Sequence, residues 1–230
     1  MSKACFVTGT DTGVGKTLVS AGLIRLFSED GIKVAGMKPV ASGCELTDQG
    51  LRNEDAIMIM QESNVELDYE LINPYAFEPP VSPHFAANES NQEIKLDHIV
   101  DRFTAISAQA DMVIVEGVGG WQVPLSDDQD ISDLAEKLYL PVILVVGLRL
   151  GCINHALLSA NAIRQKGLSL IACVASLIDE DYQRLDETLE TLEKQLGIPV
   201  QLIPRIENAK PEHVTQYLEK TKNQINEYFI

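Results

Sequence analysis

The chain has 230 residues, and its 18 Lys and Arg stand against 34 Asp and Glu, a formal net charge of −16. That balance argues against a non-specific nucleic-acid binder, which needs a basic face, and against docking on an anionic membrane. It leaves room for an anionic small ligand, because a few local cations override a negative surface.

A hydrophobic fraction of 45% is enough for a full core at this length. The four cysteines, Cys5, Cys44, Cys152 and Cys173, are scattered without C-x-x-C spacing. Neither a metal cluster nor a disulfide scaffold is indicated, and reduced thiols are expected. The N-terminal residues lack the pattern of a signal peptide, and the apolar run 138–148 is too short to span a membrane. A cytoplasmic protein is expected.

In chain order, short apolar runs alternate with amphipathic stretches. Strands are predicted at 4–8, 33–37, 112–116, 141–147, 170–175 and 199–203. These runs are continuously apolar, as parallel strands covered on both faces require. Helices are predicted at 16–28, 98–110, 130–138, 153–166 and 182–196, the last with Tyr182, Leu185, Leu189, Leu192 and Leu196 on one face. The stretch 212–230 carries an apolar stripe of Val214, Tyr217, Leu218, Ile225 and Phe229 and reads as a docked helix. The alternation predicts an α/β fold, a doubly wound and mainly parallel sheet with helices on both faces. Ligands then belong beyond the carboxyl ends of the strands. The long stretch 68–93, with Pro74, Pro79, Pro80 and Pro83, reads as an irregular loop over a site rather than a linker. One domain over 1–230 is expected.

The strongest motif is Gly9-Thr10-Asp11-Thr12-Gly13-Val14-Gly15-Lys16-Thr17, between a predicted strand and a predicted helix. Glycines there let backbone N–H groups turn toward phosphate, and the helix N-terminus adds partial positive charge. Lys16 suits the β/γ-phosphates and Thr17 a Mg²⁺ ion. Thr10 stands where the strict phosphate-loop pattern has its first glycine, so the loop is one residue longer. A P-loop NTPase type of fold follows. Glu116 ends a predicted strand, before Gly117, Gly119 and Gly120, in the place of the acid that holds the metal. Asp55 begins a helix, and Lys38 ends a strand before Pro39.

These residues belong to longer segments. They include Lys38-Pro39-Val40-Ala41-Ser42-Gly43, Gly50-Leu51-Arg52-Asn53-Glu54-Asp55-Ala56, Val115-Glu116-Gly117-Val118-Gly119-Gly120-Trp121 and Gly151-Cys152-Ile153-Asn154-His155. In them the chain closely resembles the ATP-dependent dethiobiotin synthetases of biotin synthesis. The resemblance weakens after about residue 176.

It implies an enzyme that closes 7,8-diaminopelargonate with CO₂ to dethiobiotin. The route runs through a carbamate and a carbamic–phosphoric anhydride, and releases ADP and phosphate. It implies Lys38 and Lys16 as catalytic groups, and Mg²⁺ on Thr17, Asp55 and Glu116. It implies ATP on Gly13, Val14, Gly15, Lys16, Thr17 and Leu18, with Asp55, Glu116, Gly117, Val118 and Gly119. Ser176, Pro204, Arg205 and Ile206 are expected near the base, and Thr12, Lys38 and Ser42 around the carbamate. Gly151, Cys152, Ile153 and Asn154 are expected to bind the distant carboxylate of a substrate held by a second subunit, which implies a homodimer. Where the family often has Asn, this chain has Ser176, whose hydroxyl makes fewer hydrogen bonds than an amide. Looser reading of the base follows.

Two rivals share these features. One is a switch ATPase of the partition or division type. Such proteins usually carry Lys at the third place of the loop, where this chain has Asp11. The other is a nucleotide-binding regulatory module without turnover.

Overall fold

The computed structural model describes residues 2–230. Most of the continuous apolar runs become strands buried on both faces, and the last run becomes a half-buried edge strand. They are β1 (Lys3–Gly9), followed by α1 (Lys16–Glu29) and β2 (Val34–Met37). Short β3 (Val40–Ser42), β4 (Glu45–Thr47) and β5 (Gly50–Arg52) come next, then α2 (Glu54–Glu62), α3 (Tyr69–Ile72), β6 (Tyr75–Phe77), α4 (Pro83–Glu89) and α5 (Leu96–Ser107). The rest are β7 (Met112–Glu116), α6 (Ile131–Leu138), β8 (Val142–Leu148), α7 (Cys152–Gln165), β9 (Leu170–Leu177), α8 (Leu185–Leu196), β10 (Val200–Ile203) and α9 (Pro211–Tyr228).

Six strands form the main sheet in the order β10-β9-β8-β1-β7-β2. Every neighbouring pair is parallel. All five residues of β7 and all seven of β8 are buried, which is why neither strand alternates polar and apolar residues. Helices α1, α2 and α9 pack together as one layer, while α5 touches α6 and α7 touches α8. Lys166, at the end of α7, ties these last two pairs through Asp133 and Glu136 of α6. The strand order changes direction around β1, whose neighbours are β7 and β8. A crevice therefore opens at the carboxyl end of β1, where the phosphate loop begins.

The expected α/β architecture is present, and all six predicted main strands exist with edges moved by at most two residues. The C-terminal stripe docks as expected: Val214, Leu218 and Ile225 of α9 are fully buried. Among the described residues no helix is long and apolar enough to cross a membrane.

The reading of 68–93 as irregular needs correction. It contains α3, β6 and α4, and β6 pairs in parallel with β3 from Val40↔Tyr75 to Ser42↔Phe77. The elements are too short for a period to show. Buried Tyr75 and Phe77 anchor the strand, and Pro83 opens α4 at a position where its missing N–H costs nothing. Helix α8 also starts later than predicted. Arg184 precedes it in the left-handed conformation (φ 60°), so Tyr182 lies outside. The Tyr182 hydroxyl instead meets Thr188 at 2.9 Å and the Cys152 thiol at 3.3 Å.

Gly36 of β2 sets how closely the helices approach the site. A Cβ there would lie 2.0 Å from Ile59 of α2 and 2.6 Å from Ile24 of α1. Only a bare backbone lets α2 sit that low, and α2 carries Asp55. Gly36→Ala is expected to cost about 1–3 kcal/mol through overpacking. Urea unfolding monitored by circular dichroism measures it as a lower midpoint at unchanged slope.

Candidate active site

The phosphate loop leaves β1 and turns into α1. Gly13 and Gly15 take positive φ, 73° and 93°, which a side chain would strain. Gly15 is the N-cap of α1, with no side-chain cap and no acid in the first turn. The first N–H groups of α1 are therefore free for an anion. Val14 is buried beneath the loop, where a Cβ on Gly147 of β8 would meet it at 2.8 Å.

A cleft of about 900 Å³ lies over this loop. Thr12, Gly13, Gly15, Lys16, Thr17 and Leu18 line one wall, and Lys38, Ser42 and Asp55 another. Val118 and Gly119 border it after β7, and Pro80–Pro83 border it before and at the start of α4. The stretch read as a loop over a site thus does border the cleft.

Lys38 is the centre of the charge arrangement. Its side chain is almost wholly buried, and its Nζ donates to Glu116 Oε1 at 2.6 Å and to Asp55 Oδ2 at 2.9 Å. Thr17 Oγ1 donates to the same Glu116 oxygen at 2.9 Å. The peptide of Lys38 is held on both sides. Its N–H donates to Ile72 O at 2.9 Å, and its carbonyl accepts from Asn73 Nδ2 at 2.7 Å. Asn73 is itself fixed by the Tyr69 hydroxyl, which also accepts the Asn53 N–H. Asn53 caps α2 by accepting from Ala56 N, and so places Asp55 in the first turn.

Burial pulls the Lys38 ammonium toward deprotonation, but the Glu116 and Asp55 carboxylates outweigh it and hold its pKa above the usual lysine value. Burial pushes Asp55 the other way, and the Lys38 ammonium overrides that, keeping the carboxyl below its usual range. Lys16 is different. Its Nζ donates to the backbone carbonyl of Asp11 at 2.8 Å. Burial first, and then repulsion from Lys38, bring its pKa down to about 8.

The residues fit a Mg²⁺ ion. Glu116 Oε2 is buried and has no partner, an acceptor left free beside Thr17 and Asp55. Among the described residues no group of three or more His, Cys, Asp or Glu gathers as a metal cage. Mg²⁺ does not need one, since it commonly takes one or two carboxylates and completes its shell with phosphates and water.

The remaining expected residues lie elsewhere. Gly117 sits over Phe6, which a Cβ would meet at 3.0 Å. Ser176 is just behind the loop, its Oγ 3.1 Å from where a Cβ on Gly15 would stand. Pro204, Arg205 and Ile206 follow β10 and do not line the cleft, although Ala209 on the same stretch does. Arg205 pairs with Glu180. Gly151–Asn154 form the N-terminal end of α7 and also lie outside this cleft.

Sequence reasoning missed Asn53, Asn73 and Arg149. Asn53 sits before an acidic first turn, a capping signal that was available. Asn73 and Arg149 act through contacts distant in sequence and left no local signal. Arg149 pairs with Asp11 of the phosphate loop.

A parallel α/β sheet whose central strand feeds a glycine-rich loop, a loop lysine and a strand-end acid defines a P-loop nucleotide-binding protein. Residues 3–217 match the family model described as an AAA domain. In fold the chain is similar to the MinC:MinD cell division protein complex of Aquifex aeolicus, with TM-score 0.60 and 15% identity over 97% of this chain and 96% of that one. It is also similar to a ParA family ATPase from Chlorobium tepidum, with TM-score 0.56 and 19% identity over 99% and 97%. Much nearer in sequence are proteins named ATP-dependent dethiobiotin synthetase BioD. The one from Pseudomonas paraeruginosa is 49% identical over 94% of this chain and 96% of its own length. The one from Cellvibrio japonicus is 43% identical over 95% and 96%. The chain belongs to the ATP-dependent dethiobiotin synthetase family.

Removing the Lys38 charge strands two carboxylates, one of them fully buried. Lys38→Met is expected to destabilise the protein by about 3–5 kcal/mol, the usual result of breaking a buried pair from one side. Millimolar Mg²⁺ is expected to recover part of the lost melting temperature in this variant and to change the native protein less. Thermal unfolding with and without Mg²⁺ checks both statements.

Proposed function

We propose that this chain closes the ring of 7,8-diaminopelargonate with CO₂ to give dethiobiotin, consuming ATP with Mg²⁺. The observation that carries the reading is the ammonium of Lys38, held charged by Glu116 and Asp55 in the cleft that the phosphate loop shares. The reaction gathers negative charge at one place, and cations fixed beforehand lower its barrier.

In this reading a neutral amine of the substrate attacks CO₂, a C–N bond forms, and a proton leaves to water. The Lys38 ammonium, with the Thr12 and Ser42 hydroxyls, holds the resulting carbamate. A carbamate oxygen then attacks the γ-phosphorus of ATP, and the bond to the β-phosphate oxygen breaks to release ADP. Lys16 leaves the Asp11 carbonyl to follow the γ-phosphate charge. The second amine attacks the carbonyl carbon of the anhydride. The C–O bond to phosphate breaks, phosphate departs, and the last proton leaves to solvent. When bound, Mg²⁺ supplies positive charge to the phosphate oxygens, and Thr17, Asp55 and Glu116 would hold it.

The same reading makes the chain one P-loop α/β domain over 1–230 and a cytoplasmic homodimer. Gly151, Cys152, Ile153 and Asn154 do not line their own chain's cleft. Leu150 beside them is 97% exposed, and Leu158 further along α7 is 61% exposed. Both features suit a segment that completes a second subunit's site by taking the substrate carboxylate on the α7 N-terminus. Ser176, Pro204, Arg205 and Ile206 would border the base. A partition or division ATPase is the less supported reading, because the likeness to such proteins is one of fold at 12–19% identity.

The test is direct. With diaminopelargonate, bicarbonate and MgATP, dethiobiotin is expected by mass spectrometry together with ADP. ATP hydrolysis indifferent to the diamine would refute the reading. CTP and GTP are expected to support measurable turnover because Ser176 grips the base weakly, and initial rates with each nucleotide check this. Sedimentation velocity is expected to show a dimer at assay concentrations.

A further inference from the structure

Asp11 stands inside the phosphate loop and faces the cleft. A carboxylate there repels a polyphosphate. Its structural use is evident: Oδ1 accepts the Thr12 N–H at 2.7 Å, and its backbone carbonyl accepts Lys16 Nζ at 2.8 Å. It orders the loop residue expected to meet the carbamate and the lysine expected to meet the phosphate. Its other carboxylate oxygen, Oδ2, is taken by the Arg149 guanidinium.

Arg149 comes from the strand next to β1. It follows β8 directly, and β8 pairs with β1 from Phe6↔Val142 to Gly9↔Val145. The Thr10 N–H then donates to Val145 O at 2.9 Å, so strand register carries the loop to Arg149. Arg149 is not part of the cleft wall, whereas Asp11 is. The other cation that faces Asp11 is Lys16, which the phosphate would draw away.

We propose that Arg149 is a positioning residue that neutralises Asp11, so that the loop keeps its Asp11-built shape and still accepts the triphosphate of ATP. The proposal rests on the reading that this loop holds ATP. A guanidinium suits the task because it stays charged, and positive charge is what Asp11 needs. Arg149 would act through Asp11 and would not touch nucleotide.

Charge compensation makes a prediction that simple contact does not. Isothermal titration with MgATP is to be run on the native protein, R149M, D11N, the double variant R149M/D11N and R149K. R149M is expected to weaken ATP binding about ten-fold, because it leaves Asp11 unpaired. D11N is expected to bind within about three-fold of native or tighter, and the double variant to recover to within about three-fold of D11N. R149K is expected to stay near native, and the R149M defect to shrink in 0.5 M salt. Initial rates are expected to show the defect in the KM for ATP more than in kcat. A double variant as weak as R149M would mean that Arg149 binds phosphate itself, and would overturn the proposal. Native-like binding by R149M would overturn it too. Failure of the native protein to bind ATP would refute the phosphate-loop reading as well, an outcome distinct from a flat variant series. Melting curves accompany each variant, and R149Q with R149Q/D11N replaces the Met pair if R149M does not fold.

Discussion

The ammonium of Lys38, placed between Glu116 and Asp55, is the contact on which the geometry of the cleft depends. Three parts of the chain must converge to make it. Strand β7 delivers Glu116, β2 delivers Lys38, and α2 delivers Asp55. Each delivery has a local cause. Parallel pairing of β2 with β7 runs to Met37↔Val115, which brings the two strand ends out together. Gly36 lets α2 lie close, Asn53 caps that helix, and Asn73 clamps the Lys38 peptide. An ammonium buried this deeply persists only because its carboxylates are already there.

A second regularity links the whole molecule to the site. With a net charge of −16, anions are repelled on average. Many acids lie on exposed helix faces, as with Asp186, Glu187, Glu190 and Glu193 on α8. The three acids at the phosphate cleft are each engaged by a cation: Asp55 and Glu116 by Lys38, and Asp11 by Arg149. The cleft thus departs from the acidic surface through specific pairs and free helix N–H groups, which act at short range.

Much of this was legible in the residues. Strands buried on both faces must be apolar throughout, so their runs announced the sheet without its order. The glycine-rich loop was legible because phosphate binding demands a particular backbone at consecutive positions. Lys38, Asp55 and Glu116 could be listed as candidates, each at the edge of an element. The short elements between 68 and 93 were not legible, because pieces of three to seven residues show little or no period and are held by tertiary contacts such as Tyr69 to Asn73. Tyr182 matched the spacing of α8 but lies outside it, since a stripe pattern does not show where the backbone turns into αL at Arg184.

The amino-acid sequence by itself determined the class of fold, the phosphate loop and the family, because these rest on local backbone demands and on contiguous motifs. Tertiary structure alone decided which charges meet. Lys38 and Glu116 are 78 residues apart, and Asp11 and Arg149 are 138 apart. Such pairs depend on strand order and register, which no short stretch of chain encodes. The physical reason is range: hydrogen bonds and close ion pairs act over a few ångströms of space, and only the folded sheet converts distance along the chain into that proximity.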